Sequence, residues 1–592
     1  MREKTAVPLA DRFARLREHA LSHCPAAGDK SGGPACTLIF SISDGDRRAE
    51  VRHAAAQSFD NAWDAGQRLT RVLMKRKRLA GKHLRVDWVE RAEKITWTEL
   101  QKRVASVKRA YFRFGVAFDD KFTHLLTEQE CNANAVFYQG SDRNEGAVNP
   151  VNLNHYLKMR FSPPPPLPDS AEQPVWQLET AGVYCGPDGK THHLPGLLPV
   201  KYDATTRGIY TGRRDVGRLT PEMLKDVVTR GSRWLARQIQ PSGKFVYGYF
   251  PCFGRLIQTY NSLRHASSLY SLLDVLPFTE DDSLLAPIRR CLHYLAETLV
   301  REYEIAPGQR VAFLVDDARN EIKLGANGVA LLAFAAWWEL TGSDEFHPLM
   351  KLLANGIRHM QNPDNGSFVH VLHSGNLGLK EAFRIIYYDG EAVFGLLRFY
   401  RQSGDKEQLR TAQKAFDFFL SSADHRKAHD HWLSYGANEI CGHIPDERYF
   451  AFGINNFLGH LDFILQRETT YPTLLELMMA AQKMLVMLEK FPHLHHLTAG
   501  VDMEKFKRAM HFRAHYLLNG FFWPETAMFF KRPDTVMDAW FIRHHAFRTR
   551  IDDAEHYLSG LSAYGALLAS GDGEWSAPEN ARLLGTRFSP RP

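Results

Sequence analysis

Two carboxylates, Asp389 and Glu391, stand two residues apart in Tyr387-Tyr388-Asp389-Gly390-Glu391, where a strongly apolar run begins. A helix N-terminus stabilises negative charge, so acids placed there are held where a proton can be given and taken. Glycoside hydrolysis requires one carboxylic acid and a second carboxylate. Epimerisation beside a carbonyl or carboxylate requires a base and an opposed acid, often Glu, His or Tyr. The same residues also allow a plainer reading, with Asp389 as N-cap and Glu391 completing the first-turn charge.

Other groups of the same kind precede other apolar runs. Tyr260-Asn261-Ser262-Leu263-Arg264-His265 brings a guanidinium fork suited to a carboxylate or phosphate. In it, Asn261 either caps a helix or touches a ligand, and His265 is either a ligand contact or a satisfied core histidine. Asp316-Asp317 reads as a hairpin turn or an acid pair ahead of Lys323 to Gly328, which contains Asn327 as a candidate substrate contact. Trp432, after Asp430-His431, either stacks on a sugar ring or packs. Glu439 and Asp446 are further candidate acids, and Asp446 with Glu447 equally suits a cap. Arg543-His544-His545 and the run Arg548 to His556 supply His544, Arg550 and Asp552.

The chain holds 27 histidines, among them His493, His495 and His496, with His511 and His515 spaced i,i+4. That spacing can place two imidazoles on one metal. No HExxH accompanies it and no carboxylate obviously completes a set, so structural or surface histidines are expected, with no metal and no cofactor.

Elements must position these residues, and 592 residues exceed one ordinary core. Charged residues at 24% and hydrophobic residues at 44% exclude a disordered or fibrous chain. No uncharged apolar run reaches the roughly 18 residues of a membrane span. The first 25 residues lack an apolar h-region, and the seven cysteines show no CxxC spacing. A cytoplasmic setting follows. Residues 1–35 read as an N-terminal helical arm, and 36–160 as a small α/β domain. In the latter, strand-like pieces flank a helix from Phe59 to Arg78 and another from Thr98 to Val107. Phe161 to Ser170 (FSPPPPLPDS) reads as a stiff interdomain spacer, and 161–220 as a Pro-rich linker with short β pieces. The basic run Lys75 to Arg78 ends its helix without stacking aromatics, which makes a nucleic-acid partner unlikely. Residues 571–592 read as a flexible tail.

From Pro221 to Ser570 the pattern is almost entirely helical and it repeats. The segments from Ala330 and from Val393 each run through an apolar helix into Thr-Gly or Ser-Gly, an acidic turn and a second amphipathic helix. Gly342 and Gly404 are equivalent, 62 residues apart (404 minus 342). Both occupy a helix C-cap, where left-handed backbone is needed. RQIQPSGKFVYGYF from Arg237 echoes RHMQNPDNGSFVHVL from Arg358. Solenoid repeats run shorter, roughly 34–47 residues. On these helix pairs, on YYDGEAVFGLLRFYRQSGD and on YNSLRHASSLYSLL, residues 221–570 resemble the (α/α) toroid enzymes. That superfamily is six-hairpin glycosidase-like and includes glucuronyl C5-epimerase-like proteins.

The order of elements gives a small N-terminal α/β domain, and the resemblance, confined to residues 221–570, implies an all-α toroid after it. The polar residues ahead of the inner helices would line one mouth. It implies a carbohydrate-active enzyme acting on a glycan or uronic-acid-containing polymer by hydrolysis or epimerisation, in intracellular or envelope-polymer biosynthesis. Asp389 and Glu391 would be the acid/base pair, and Glu439, Asp446 or Asp552 the opposed carboxylate. Arg264, Arg550 and His544 would hold an anionic group, and Tyr260, Tyr388 and Trp432 would offer stacking surfaces. The competing reading is a non-catalytic polymer- or peptide-binding component of an envelope or capsule assembly, whose N-terminal domain engages a protein partner.

Overall fold

A computed structural model of the protein describes residues 7–24, 33–196 and 213–571. The tail expected beyond 571, and parts of the segments 1–35 and 161–220, lie outside the described residues.

The N-terminal part is an antiparallel sheet, whose seven strands are β1 (Cys36–Ser43), β2 (Glu50–Ala56), β3 (His83–Thr96), β4 (Gly115–Ala117), β5 (Leu125–Leu126), β6 (Pro174–Cys185) and β7 (Thr191–Leu194). The order is β2-β1-β3-β6-β4-β5, with β7 also paired to β6. The alternation of β1 sorts its side chains to two faces. Leu38, Phe40 and Ile42 face a core shared with the helices Leu9–His23 and Phe59–Lys77, whereas Ile39 joins the apolar core of the helical body.

Three expectations are corrected here. The helix expected over Thr98–Val107 runs Trp97–Ala105, because the Thr96 side chain accepts from Glu99 N–H and sets the start one residue earlier. The strand-like piece expected after that helix is strand only at Gly115–Ala117. The proline run lies inside the sheet unit, since β6 follows it and pairs with β3 from Leu84↔Cys185 to Thr96↔Pro174.

Twelve long helices make up the body: α1 (Pro221–Arg237), α2 (Ser262–Asp274), α3 (Leu285–Tyr294), α4 (Leu324–Thr341), α5 (His347–His359), α6 (Tyr387–Ser403), α7 (Lys406–Ser421), α8 (His431–His443), α9 (Glu447–Leu458), α10 (Thr473–Leu488), α11 (Met503–Leu517) and α12 (Ile551–Ala569). The even-numbered helices form a closed ring: α2 packs on α4, α4 on α6, α6 on α8, α8 on α10, α10 on α12, and α12 returns to α2. The odd-numbered helices pack around the outside. Composition explains the division. α4 is buried without interruption from Leu324 to Trp337, as expected of a helix that is apolar all round. α1 buries one stripe, including Leu224, Val227, Val228, Gly231 and Leu235, and leaves its polar side to water.

Gly342 (φ +72°) and Gly404 (φ +70°) end α4 and α6 in left-handed conformation, and the paired loops after α1 and α5 carry the equivalent bridges Ile239↔Phe245 and Gln361↔Phe368. Sheet and ring are joined by buried charge. Arg85 donates to the Glu525 carbonyl at 2.9 Å, Arg214 clamps the Glu525 carboxylate at 2.9 and 2.6 Å, and Arg543 reaches the Ala110 carbonyl at 2.6 Å and Glu128 at 3.1 Å.

The ring is tightest where α4 meets α6. A Cβ on Gly328 would lie 2.3 Å from the Glu391 carbonyl oxygen and 2.7 Å from Ala392 Cα, and one on Gly395 would lie 2.4 Å from the Gly328 oxygen. Gly328→Val is therefore expected to cost at least about 1–3 kcal/mol in urea unfolding by overpacking. Gly442→Ala, where a Cβ meets open space, should leave stability unchanged or slightly higher. Equal midpoints for Gly328→Val and wild type would refute the packing assigned to this contact.

Candidate active site

Every inner helix brings polar groups to one end of the ring through its first or second turn: Ser267 on α2, Tyr387 and Glu391 on α6, His431 on α8, Glu476 on α10, and Asp552, Glu555 and His556 on α12. On α4 the contribution is an absence of side chain, because a Cβ on Gly325 would strike Glu391 Oε2. In the ring order α6 stands opposite α12, so the electrostatic influence of Glu555 and His556 on Glu391 acts across the lumen.

Glu391 is fully enclosed. Burial, reinforced by Glu555 and Asp430, holds its carboxyl well above the usual carboxylate range. Its Oε2 has no hydrogen-bond partner. Opposite, His556 Nδ1 donates to Glu476 Oε2 at 2.8 Å, and Glu476 Oε1 accepts from Tyr435 O–H at 3.2 Å. Burial would lower the pKa of His556, but Glu476 and Glu555 outweigh it and push it up to about 10. Burial raises Glu555 to about 7, with its carboxylate accepting from the Ser267 hydroxyl. The buried His431 has Nδ1 3.3 Å from Asp430 and Nε2 3.9 Å from Glu476, and Nε2 lacks a hydrogen-bond partner. The site thus holds two carboxyls raised by burial, Glu391 and Glu555, and an imidazole raised by its carboxylate neighbours within one enclosure. Environments that push the pKa values of neighbouring acids apart in this way assign acid and base roles.

At the rim, Arg264 lies 2.9 Å from Asp552 and donates to Tyr247 O–H at 3.2 Å. Arg550 lies 3.0 Å from both Asp552 and Asp553. Burial and Asp553 raise Asp552, whose Oδ1 is unpaired, while Arg550 and Arg548 hold Asp553 low against its own burial. Glu321, bidentate with Arg384 at 3.0 and 2.8 Å, is driven down to about 2, chiefly by that contact.

The structure brings Glu391, Asp552, Arg264 and Arg550 to this end and places Tyr388 beside Glu391. The other sequence candidates have structural positions. Asp389 faces two histidines: its Oδ2 accepts from His370 Nε2 at 3.0 Å and His425 Nε2 at 3.2 Å, tying the segments that carry them to the start of α6. Two residues subtend about 200° on a helix, which turns Asp389 and Glu391 to different sides.

His265 is a core residue that accepts from Tyr260 O–H at 2.7 Å, with burial lowering it to about 3. Asn261 caps α2 at Leu263 N–H, and Asn327 is wholly buried, accepting from Leu314 N–H and donating to the Lys323 carbonyl. Trp432 packs against Phe394 and Tyr435 rather than presenting a face. Glu439 faces Arg401 and Lys483 toward the other end of the ring. Asp446 caps α9 on the outside and is paired with Arg448. His544 sits by the sheet unit near Lys108 and Arg109, burial lowering it to about 3.

Sequence reading passed over Glu476. Its one signal is a lone carboxylate early in the otherwise apolar run TLLELMMAAQKMLVML. One ligand atom each from His431, Glu476 and His556 lies within 4.8 Å of the others, a spacing that also suits a cation. Within it, Glu476 Oε2 accepts from His556 Nδ1.

No family model matches the chain, and no curated protein matches it in sequence. Among solved structures it is similar to the alpha-1,6-mannanase GH76A from Salegentibacter sp. HEL1_6 (12% identity, 58% of this chain and 99% of that one, TM-score 0.40). It is similar also to cellobiose 2-epimerase from Bacillus thermoamylovorans B4167 (11%, 58% and 98%, TM-score 0.43). A third is the unsaturated glucuronyl hydrolase from Streptococcus agalactiae (14%, 62% and 98%, TM-score 0.40). In this chain the ring is established by its own helix packing.

The ion pair on Glu476 carries a pH signature. A histidine raised from 6.5 to about 10 contributes stability that is complete below about pH 6.5 and is lost as pH rises through about 10. Urea midpoints of the wild type should therefore fall between pH 7 and 10 more steeply than those of Glu476→Gln. Parallel profiles would contradict the pairing.

Proposed function

We infer that the chain is a carbohydrate-active enzyme whose chemistry takes place inside the ring. Its substrate is a glycan or a uronic-acid-containing chain. The observation that carries this is the buried carboxyl of Glu391, its Oε2 without a hydrogen-bond partner, set across the lumen from the His556–Glu476 pair and Glu555. Glu391 is the proton donor to a leaving oxygen. Glu555 or Glu476 is the carboxylate that takes a proton from water, as the two-carboxylate logic of glycoside hydrolysis requires. A polyhydroxylated ligand suits a wall of carboxylates, imidazoles and the Tyr247, Tyr387 and Tyr388 hydroxyls, which can each trade hydrogen bonds with sugar hydroxyls. Arg264, 30% exposed at the side chain, is the cation a uronic carboxylate would meet at the mouth.

One further geometry favours epimerisation. The His431 and His556 rings stand 5.2 Å apart, nearly perpendicular, flanking Glu476, and two imidazoles so placed can exchange protons at a sugar carbon. Reaction in D2O separates the two readings. Epimerisation leaves deuterium on a carbon of the sugar, whereas hydrolysis leaves none.

The hydrolytic reading makes Glu391 indispensable. Against a panel of neutral and uronic-acid oligosaccharides, Glu391→Gln should lower turnover by about 10²–10⁴-fold, the range of one general acid, with ligand binding retained. Turnover equal to wild type would remove Glu391 from the chemistry. Binding with no turnover in the wild type would move the chain to the non-catalytic reading.

A further inference from the structure

Outside the ring, three histidines meet on the sheet unit. His19 and His23 are i,i+4 neighbours on the helix Leu9–His23, and His193 comes from β7, 174 residues away from His19 in sequence. His19 Nε2 lies 3.1 Å from His193 Nδ1. The imidazole rings of His19 and His23 stack at 4.2 Å between centroids, and the ring of His23 lies 4.8 Å from that of His193. One nitrogen from each ring falls within 4.8 Å of the other two. The Trp88 ring closes one side, 6.5 Å from His23 and 6.2 Å from His193.

Three bases gathered in this way need an explanation. A core role does not supply one, because His23 is exposed and the other two are half-buried. A salt bridge does not either: no carboxylate lies within ion-pair distance of the three among the described residues, and Asp215 acts on His193 only through its field. Protonating more than one ring sets like charges side by side. Ligand nitrogens on a tetrahedral ion with bonds of about 2.0–2.1 Å stand roughly 3.4 Å apart. The His19–His193 separation of 3.1 Å is close to that, and His23, the exposed member, completes the set by rotating its side chain.

We propose that His19, His23 and His193 form a trihistidine site for a divalent transition-metal ion, clipping the N-terminal helix to the edge of the sheet. Three neutral imidazoles select a borderline ion such as Zn²⁺ or Co²⁺ over Mg²⁺ or Ca²⁺. The fourth position falls to water or an added ligand. The site is independent of the reaction in the ring.

The test uses the full chain, freed of any histidine tag, titrated with Co²⁺ for its visible spectrum and with Zn²⁺ by calorimetry and thermal unfolding. The expected result is one equivalent bound with a four-coordinate Co²⁺ spectrum and a rise in melting temperature. His193→Ala and His23→Ala should each weaken binding at least about tenfold, the scale on which even outer-shell partners of metal sites act. His431→Ala should leave binding unchanged. Since His23 is exposed, its removal tests the site without disturbing the core. Absence of binding, or binding that survives His23→Ala and His193→Ala but not His431→Ala, would overturn the proposal.

Discussion

Closure of the inner ring, where α12 returns to pack on α2, is the contact on which the rest depends. It turns a series of helix pairs into an enclosure, and enclosure is what makes its few polar groups chemically unusual. A carboxylate at the start of an open helix is a cap or a surface charge. The same group facing five other helices loses water and has its carboxyl pushed up, as Glu391 does. Removing bulk at Gly325, Gly328 and Gly395 lets α4 and α6 approach closely enough for that wall to seal around Glu391.

Within the enclosure, like charge is managed by a small set of compensations. His556 carries the positive charge that Glu476 and Glu555 require, and Ser267 satisfies Glu555. At the rim the same task falls to Arg264, Arg548 and Arg550 around Asp552 and Asp553. Buried pairs of this kind seldom add net stability, since desolvation offsets attraction. Their concentration at one end of one ring is better explained by chemistry done there. The sheet unit leans on the opposite logic. Arg85, Arg214 and Arg543 cross to carbonyls and carboxylates of the other unit and fix the two parts in register.

Much of this was legible in the residues, and what was not has physical reasons. The helix pairs announced themselves through apolar runs ending in Gly342 and Gly404, because a C-cap glycine is a local requirement. Glu391 stood out beside an apolar helix start, but so did Asp389, and spacing alone did not show that a two-residue step turns them apart. Glu476 and His556 gain meaning only from each other, 80 residues distant. The proline run looked like a domain border since its stiffness is local, whereas the pairing of β6 with β3 across it is not. His265, Asn327 and Trp432 were chosen for chemical type, and burial assigns them to packing and backbone satisfaction.

The central claim is that ring enclosure pushes the Glu391 carboxyl well above the usual carboxylate range. Infrared spectra of wild type and Glu391→Gln, recorded with glutamate ¹³C-labelled at the side-chain carboxyl, test it without knowledge of the substrate. The account predicts a protonated-carboxyl band at pH 7 in the wild type that shifts with the label and is absent from Glu391→Gln. Identical spectra for the two proteins at pH 7, with Glu391 ionised, would contradict it.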